Sequence, residues 1–402
     1  MTKRNGPLQG VRVLDFCHFL AGPYGAALLA DLGADVVKVE NPDRPDEART
    51  IGPTYLGDES VYFLSLNWNK RSVGIRLPQG YDVVLDLVRH ADVVIDNFKP
   101  GVTKTLGIDH ERLAAINPRI ITCSLSGHGA TGPYASYPGY DYTIQAMSGV
   151  MSLTGEPDGP PGKAGISYVD HSGGLAAALA VATALFERTR TDQGSHIDLG
   201  LLDVQVSMLT YLAAWELNGQ FSPGRMSNGS HPSIVPAQNF ATRDGFVALF
   251  VGNDPMWQRL VEALSDERLH DDEYSTNAGR QRNRGALIGI LQEILGAQPT
   301  AHWVALCAAH SIPCAPVNSI AEALAEPQVQ ARALVATAEH PSYGSYRHVR
   351  GPFGGGAATT TRGAPLLGEH TAEVLAEIGY STTDVERLEA EGAVFRHIGN
   401  RI

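Results

Sequence analysis

The sequence predicts an α/β fold, with a large domain on a parallel sheet covered on both faces and a smaller α/β domain after it. Three observations carry this. Over the first 130 residues, apolar strand-like segments alternate with helix-like ones. The strands are near-continuous runs of Val, Ile and Leu, as in sheets buried on both sides. After about residue 220 a Gly-, Ser- and Pro-rich stretch gives way to a second, shorter set of strands and helices.

In order, VRVLDF (11–16) reads as the first strand, GAALLADLG (25–33) as a helix and ADVVKVE (34–40) as the second strand. RSVGIRL (71–77) is the third strand, followed by a helix at YDVVLDLVRHA (81–91) and a fourth strand, DVVIDNF (92–98). A helix at HERLAAI (110–116) leads into RIITCSLSG (119–127), the fifth strand. In such sheets ligands gather beyond the carboxyl ends of the strands. The residues expected there are His18 to Ala21, Glu40 and Asn41, Asn97 to Lys99, and Gly127 to Gly129.

The large domain is expected to span 1–220, with FSPGRMSNGSHPSIVP (221–236) as a linker and a small domain over 237–330. That domain holds strands at QNFATRD and GFVALFVG and helices near 255–265, 280–296 and 300–310. A Gly-rich return linker (331–365) then leads to 366–402, whose two helices complete the large domain.

At 402 residues, 43% hydrophobic and 18% charged, the chain can bury two cores. A net charge of -12 argues against a nucleic-acid partner. It leaves room for an anionic small molecule held by a local basic patch. No unbroken run of about 18 apolar residues suggests a membrane span. MTKRNGPLQGVRVLDF lacks the apolar stretch of a secretory signal. Cys17, Cys123, Cys307 and Cys314 are widely spaced without CxxC pairing, which favours free thiols in a reducing cytoplasm over a metal site.

The most informative side chain is Asp170. In GISYVDHSGG (165–174) a short apolar, strand-like run meets two glycines and a helix read from Leu175 to about Arg190. A carboxylate there faces the positive end of a helix dipole. A plain N-cap accounts for it as well. A nucleophile requires a neighbouring pocket in addition, and Gly173 and Gly174 would let a substrate and backbone donors come close.

The strand, turn and helix ending in Glu40 also has the outline of a dinucleotide site, but the detail fails. Gly22 and Gly25 are spaced GxxG with Pro23 between them, so the loop does not repeat the GxGxxG cradle.

Taken in order, the motifs resemble those of the class III CoA-transferases, which include formyl-CoA and carnitine CoA-transferases. They are GVRVLDFCHFLAGPYGAALLADLGADVVKVE (10–40), NWNKRSVGI (67–75), DNFKPGV (96–102), SLSGHGATGPY (124–134), PGYDYTIQAMSG (138–149) and SYVDHSGG (167–174). IPCAPVNSIAEALAEPQVQARALV (312–335) and PLLGEHTAEVL (365–375) continue the series. The resemblance implies a doubly wound large domain, a smaller domain on long linkers, and two interlocked subunits forming a homodimer. It implies acyl-CoA and a carboxylic acid as substrates and requires no metal.

It also places residues. Asp170 is the nucleophile, with Tyr140 and Asp141 beside it. CoA contacts fall on His18, Phe19, Leu20, Ala21, Glu40, Lys70, Arg71, Asn97, Phe98 and Lys99. The sequence departs at Asn41, where an arginine is usual and Arg44 follows three residues later. It departs again at Lys104, which is displaced by Thr105 from the leucine it normally precedes. A glycine-rich lid is not evident, though Gly224 and Gly229 lie in a comparable region. The implied route runs through an aspartyl anhydride and an aspartyl-CoA thioester, with oxyanion donors near Leu20, Ala21, Gly173 and Gly174.

An α-methylacyl-CoA racemase of the same fold is the main alternative, but it needs an acid/base pair. Here Tyr140 stands where the racemases carry histidine, and tyrosine is a poor base at neutral pH. A non-catalytic binding protein is a remoter reading. The stretch GSHPSIVPAQNFATRDGFVALFVGN (229–253) looks most like the branch that acts on dicarboxylates. Ser230, His231, Tyr140 and Arg225 are then candidates for the distal carboxylate, with succinyl-CoA as donor.

Overall fold

A computed structural model describes residues 6–219, 221–340, 342–353 and 362–397. The chain divides into two compact units. One comprises Met1–Ser148, Gly165–Met208 and Pro327–Ile402, the other Gly149–Ala164 and Leu209–Glu326. Residues 149–164 and 209–219, expected in the large domain, therefore belong to the second unit.

The first unit is built on seven strands: β1 (Arg12–Asp15), β2 (Asp35–Glu40), β3 (Arg71–Ile75), β4 (Val93–Asp96), β5 (Ile121–Ser126), β6 (His196–Gly200) and β7 (Val394–Phe395). Their order is β7-β3-β2-β1-β4-β5-β6, parallel except for the antiparallel β7. The chain moves outward from β1 through β2 to β3, then returns to β1's other side at β4. The order thus reverses between β1 and β4, the point where open sheets leave a crevice.

Successive strand residues point to opposite faces, and here both faces are buried. Val13, Val36, Val93 and Ile95 enter one core with helix α1 (Ala21–Asp31), while Leu14, Val37, Val73 and Val94 enter the other. That second face is closed by the helices Tyr81–Arg89, Thr371–Glu377 and Thr382–Ala390. Helix α2 (Asp141–Met147) precedes the long helix α3 (Tyr168–Thr191), and α4 (Leu201–Met208) follows β6. By length and composition alone α3 could cross a membrane. Here Val169, Ala177, Val181 and Leu185 place one side of it in the core shared with α1.

Three expectations need correction. First, GISYV is not a strand: α3 begins at Tyr168, seven residues before Leu175. Asp170 is therefore a first-turn residue and not the N-cap, which is Ser167. Secondly, Gly173 and Gly174 are interior helix residues, whose N–H groups belong to the i→i−4 ladder and not to an oxyanion hole. They serve packing. A Cβ on Gly174 would fall 2.6 Å from Ala21 O and one on Gly173 2.3 Å from Leu201 Cδ2. Thirdly, the return linker carries an antiparallel pair, Val335–His340 with Gly344–Val349. Within that linker 354–361 lie outside the described residues, as do 398–402 of the C-terminal piece.

The second unit holds an antiparallel sheet in the order Cys314–Pro316, Phe246–Phe250, Ala237–Ala241. Trp257, Leu260, Leu287, Leu291 and Trp303 fill its core beneath the helices foreseen from sequence.

Candidate active site

Two loops meet at the switch point. The backbone after β1 is clasped by Asn97, whose Oδ1 accepts the His18 N–H at 2.8 Å and whose Nδ2 donates to His18 O at 2.7 Å. Asp96, at the end of β4, accepts from Phe98 N–H at 3.1 Å and from Ser124 Oγ at 2.7 Å. Burial pushes its carboxyl up to about 6.

Beside these loops is a hollow of about 360 Å³. His18, Phe19, Leu20 and Ala21 form one wall, and Asn97, Phe98 and Lys99 another. Tyr140 and Asp170 complete it. With Gly127, which also lines it, ten residues singled out from the sequence are thus brought together in one place. Phe19 sits edge-on to Tyr140, ring centroids 6.3 Å apart, and His18 packs against Phe98 at 5.9 Å. Burial pushes the His18 imidazole pKa down, with the Lys38 ammonium adding to the effect.

Asp170 is aimed by its helix, and the helix by Asp141. Asp141 is buried; its Oδ1 accepts the Val169 N–H at 2.8 Å and its Oδ2 accepts from Gln145 Nε2 at 2.8 Å. A carboxylate on a first-turn amide satisfies an orphan donor and complements the helix dipole. This contact explains why the β-favouring run before Asp170 winds into helix: a tertiary cap overrides local propensity. Asp141 is accordingly an orienting residue.

At the start of α1, Pro23 has no N–H and Tyr24 N–H bonds Leu20 O, leaving the Ala21 and Gly22 amides outside the helix ladder. No side chain caps this end. Of Ala21 and Gly22, Ala21 lines the hollow with Asp170.

Several expected CoA contacts lie elsewhere. Glu40 is buried against Arg49, with contacts of 3.0 and 2.7 Å to the guanidinium. Lys70 is fully buried on Asp15 at 2.7 Å, and also donates to Pro23 O and Asn67 Oδ1. Burial raises the Asp15 carboxyl pKa, but the Lys70 and Lys38 ammonium groups outweigh it and hold the carboxyl low. Arg71 bonds Asp35, Glu373 and Glu377. These three residues tie the fold together and leave no free charge for a phosphate. Asn41 accepts the Asp43 N–H in a turn, and Arg44 and Lys104 are exposed outside the hollow.

Ser230 and His231 belong to the second unit, where they line a hollow of about 680 Å³ with Tyr211. The His231 and Tyr211 rings stack with centroids 6.0 Å apart. Arg225 spends its guanidinium on the carbonyls of Glu156, Pro157 and Gly159, so it is not a free cation for a substrate.

Tyr62 was not foreseen. Burial raises its phenol pKa, as do the carboxylates of Asp170, Asp46 and Asp141, so the phenol keeps its proton. A tyrosine in the stretch between the 10–40 and 67–75 motifs gave no signal of its own. Among the described residues no group of three or more His, Cys, Asp or Glu side chains could hold a metal ion.

Comparison with known proteins adds a second line of evidence. Residues 8–371 match CoA-transferase family III. A succinate–glutarate CoA-transferase of Agrobacterium fabrum is 40% identical over 94% of this chain and 97% of its own. The human succinyl-CoA:glutarate CoA-transferase is 37% identical over 97% and 90%. An acetyl-CoA:oxalate CoA-transferase of Acetobacter aceti is 40% identical over 83% and 86%. Among solved structures, a CAIB/BAIF family protein from Brucella suis superposes with a TM-score of 0.82 at 38% identity, covering 93% of this chain and 100% of that one.

Proposed function

The chain belongs to CoA-transferase family III, and on that premise we propose that it moves CoA from succinyl-CoA to a C4 to C6 dicarboxylate, glutarate foremost. The observation that carries the reading is Asp170, lining a hollow at the sheet's switch point together with Leu20 and Ala21 at the start of α1.

The Asp170 carboxylate attacks the thioester carbonyl, and the C–S bond breaks to give an aspartyl anhydride and CoA thiolate. The thiolate attacks the aspartyl carbonyl, releasing succinate and leaving an aspartyl-CoA thioester. The acceptor carboxylate attacks that thioester, and the thiolate then returns to the acceptor's carbonyl, freeing Asp170. A carboxylate suits this exchange because its acyl derivatives remain activated. Each addition forms an oxyanion, for which we propose the backbone amides of Leu20 and Ala21, which line the hollow, as donors. Tyr140 donates to a carboxylate, and Lys99, exposed at the rim, meets the CoA phosphates. His231 and Ser230 are retained for the distal carboxylate of the acceptor, on the likeness to the glutarate enzymes.

The working form we propose is a homodimer. Leu175, Leu179 and Phe186 project from one side of α3 and are 41%, 69% and 63% exposed, an apolar stripe of the kind that marks an interface. The four unbridged cysteines fit a reducing cytoplasm.

The test is a panel of acids with succinyl-CoA, the product thioesters read by mass spectrometry. Glutarate should exceed oxalate, formate and carnitine, and Asp170→Ala should make no product while still binding CoA. Equal turnover of a monocarboxylate would remove the acceptor assignment. Turnover by Asp170→Ala would remove the covalent route.

A further inference from the structure

The backbone of Cys17 to Phe19 is held almost entirely by side chains that lie beneath it. Asp15 Oδ1 accepts the Cys17 N–H at 2.9 Å, Lys38 Nζ donates to Cys17 O at 2.6 Å, and Asn97 takes both polar groups of His18. Asp46 Oδ1 then accepts the Phe19 N–H at 3.0 Å. Lys38 and Asp46 form one ion pair at 2.9 Å, and neither side chain has any solvent exposure. The same Asp46 oxygen also accepts the Ala48 N–H, and Asp46 N–H donates to Glu40.

Two features make this more than a stabilising contact. Phe19 has φ +62, a left-handed conformation that a bulky residue adopts only where its surroundings impose it. That twist turns the chain from β1 into α1, so it sets where the first unbonded amides of α1 stand relative to Asp170. In addition, a buried ion pair is a poor source of stability, since apolar residues of like volume do as well or better. What apolar residues cannot do is grip a carbonyl at 17 and an amide at 19 together.

We propose that Lys38 and Asp46 are positioning residues for the transfer reaction: their ion pair fixes the Cys17–Phe19 turn and thereby the direction of the oxyanion donors that follow it. Neither residue lines the hollow, so neither touches substrate. The inference rests on the Asp170 reading above.

The test uses the full-length enzyme and two double variants, K38M/D46L and K38M/D46N. No unpaired charge remains in either, but both orphan the Cys17 carbonyl and K38M/D46L also orphans the Phe19 and Ala48 amides, so both should melt below wild type, K38M/D46L the lower of the two. In K38M/D46L, kcat should fall about ten- to a hundredfold while the KM for succinyl-CoA stays within about threefold, because donor direction is lost and binding is not. K38M/D46N keeps an acceptor for the Phe19 and Ala48 amides but loses the Lys38 grip on Cys17 O, so it should recover about threefold of that loss and stay below wild type. Wild-type kcat in a stable K38M/D46L would overturn the proposal. If that variant does not accumulate, K38M/D46N decides: lowered kcat at unchanged KM supports the proposal, and wild-type kcat overturns it. Asp170→Ala run alongside separates the two ideas. Activity there sinks the covalent reading, whereas a silent Asp170→Ala beside a fully active K38M/D46L sinks this inference alone.

Discussion

Asn69-Lys70-Arg71 and Asn97-Phe98-Lys99 look alike in sequence, each a short polar run with an asparagine first and a cation to follow. In the folded chain they have opposite fates. Lys70 and Arg71 are buried on Asp15, Asp35 and Glu377, and Asn69 donates to Asp31 at 2.9 Å. Lys99 is exposed at the rim of the Asp170 hollow, and Asn97 fastens the opposite wall. The difference follows from strand polarity. The first run leads into β3, whereas the second leaves β4 at the sheet's carboxyl edge, where a parallel sheet presents its loops to ligands. A cation's neighbourhood is set by which end of a strand it occupies, and its charge alone says little.

Substitutions at the two lysines should separate these fates. The larger effect belongs to Lys70→Met. It removes the ammonium in contact with the buried Asp15 carboxylate and leaves only Lys38 to offset the charge, which costs up to about 3–5 kcal/mol. Thermal unfolding should move down by many degrees, while any folded fraction keeps the wild-type KM for CoA thioesters. A normal melting temperature with a raised KM would show that Lys70 reaches ligand after all.

Lys99→Ala should act in the opposite way and more weakly. If Lys99 meets a CoA phosphate as proposed, its loss removes one solvent-screened contact, worth about 1 kcal/mol, or roughly five- to tenfold in KM for succinyl-CoA. Stability should not change. A lowered melting temperature at unaltered KM would make Lys99 another structural cation and erase the contrast.

The same contrast marks what was legible before folding. The five strands read from apolar runs are all present, because a strand buried on both faces has little freedom to be anything else. β6 reads HIDLG, too short and too polar to stand out, and β7 has two residues. The residues from His18 to Ala21, Asn97 and Asp170 were legible in local motifs, and they line one hollow. Glu40, Lys70 and Arg71 lie outside it, and the partners that hold them, 9, 55 and up to 306 residues away, are not legible from local sequence. The start of α3 was misplaced for a related reason: its cap, Asp141, is 28 residues upstream of Val169.

The central claim is that Asp170 carries the acyl group and then CoA. Its most direct test is to incubate the wild-type enzyme with succinyl-CoA, quench with hydroxylamine and map the modified peptide by mass spectrometry. A hydroxamate on Asp170, absent when succinyl-CoA is omitted and absent in Asp170→Asn, is the predicted result. Modification of Asp141 or another carboxylate in its place, or steady turnover with no carboxylate ever labelled, would contradict it.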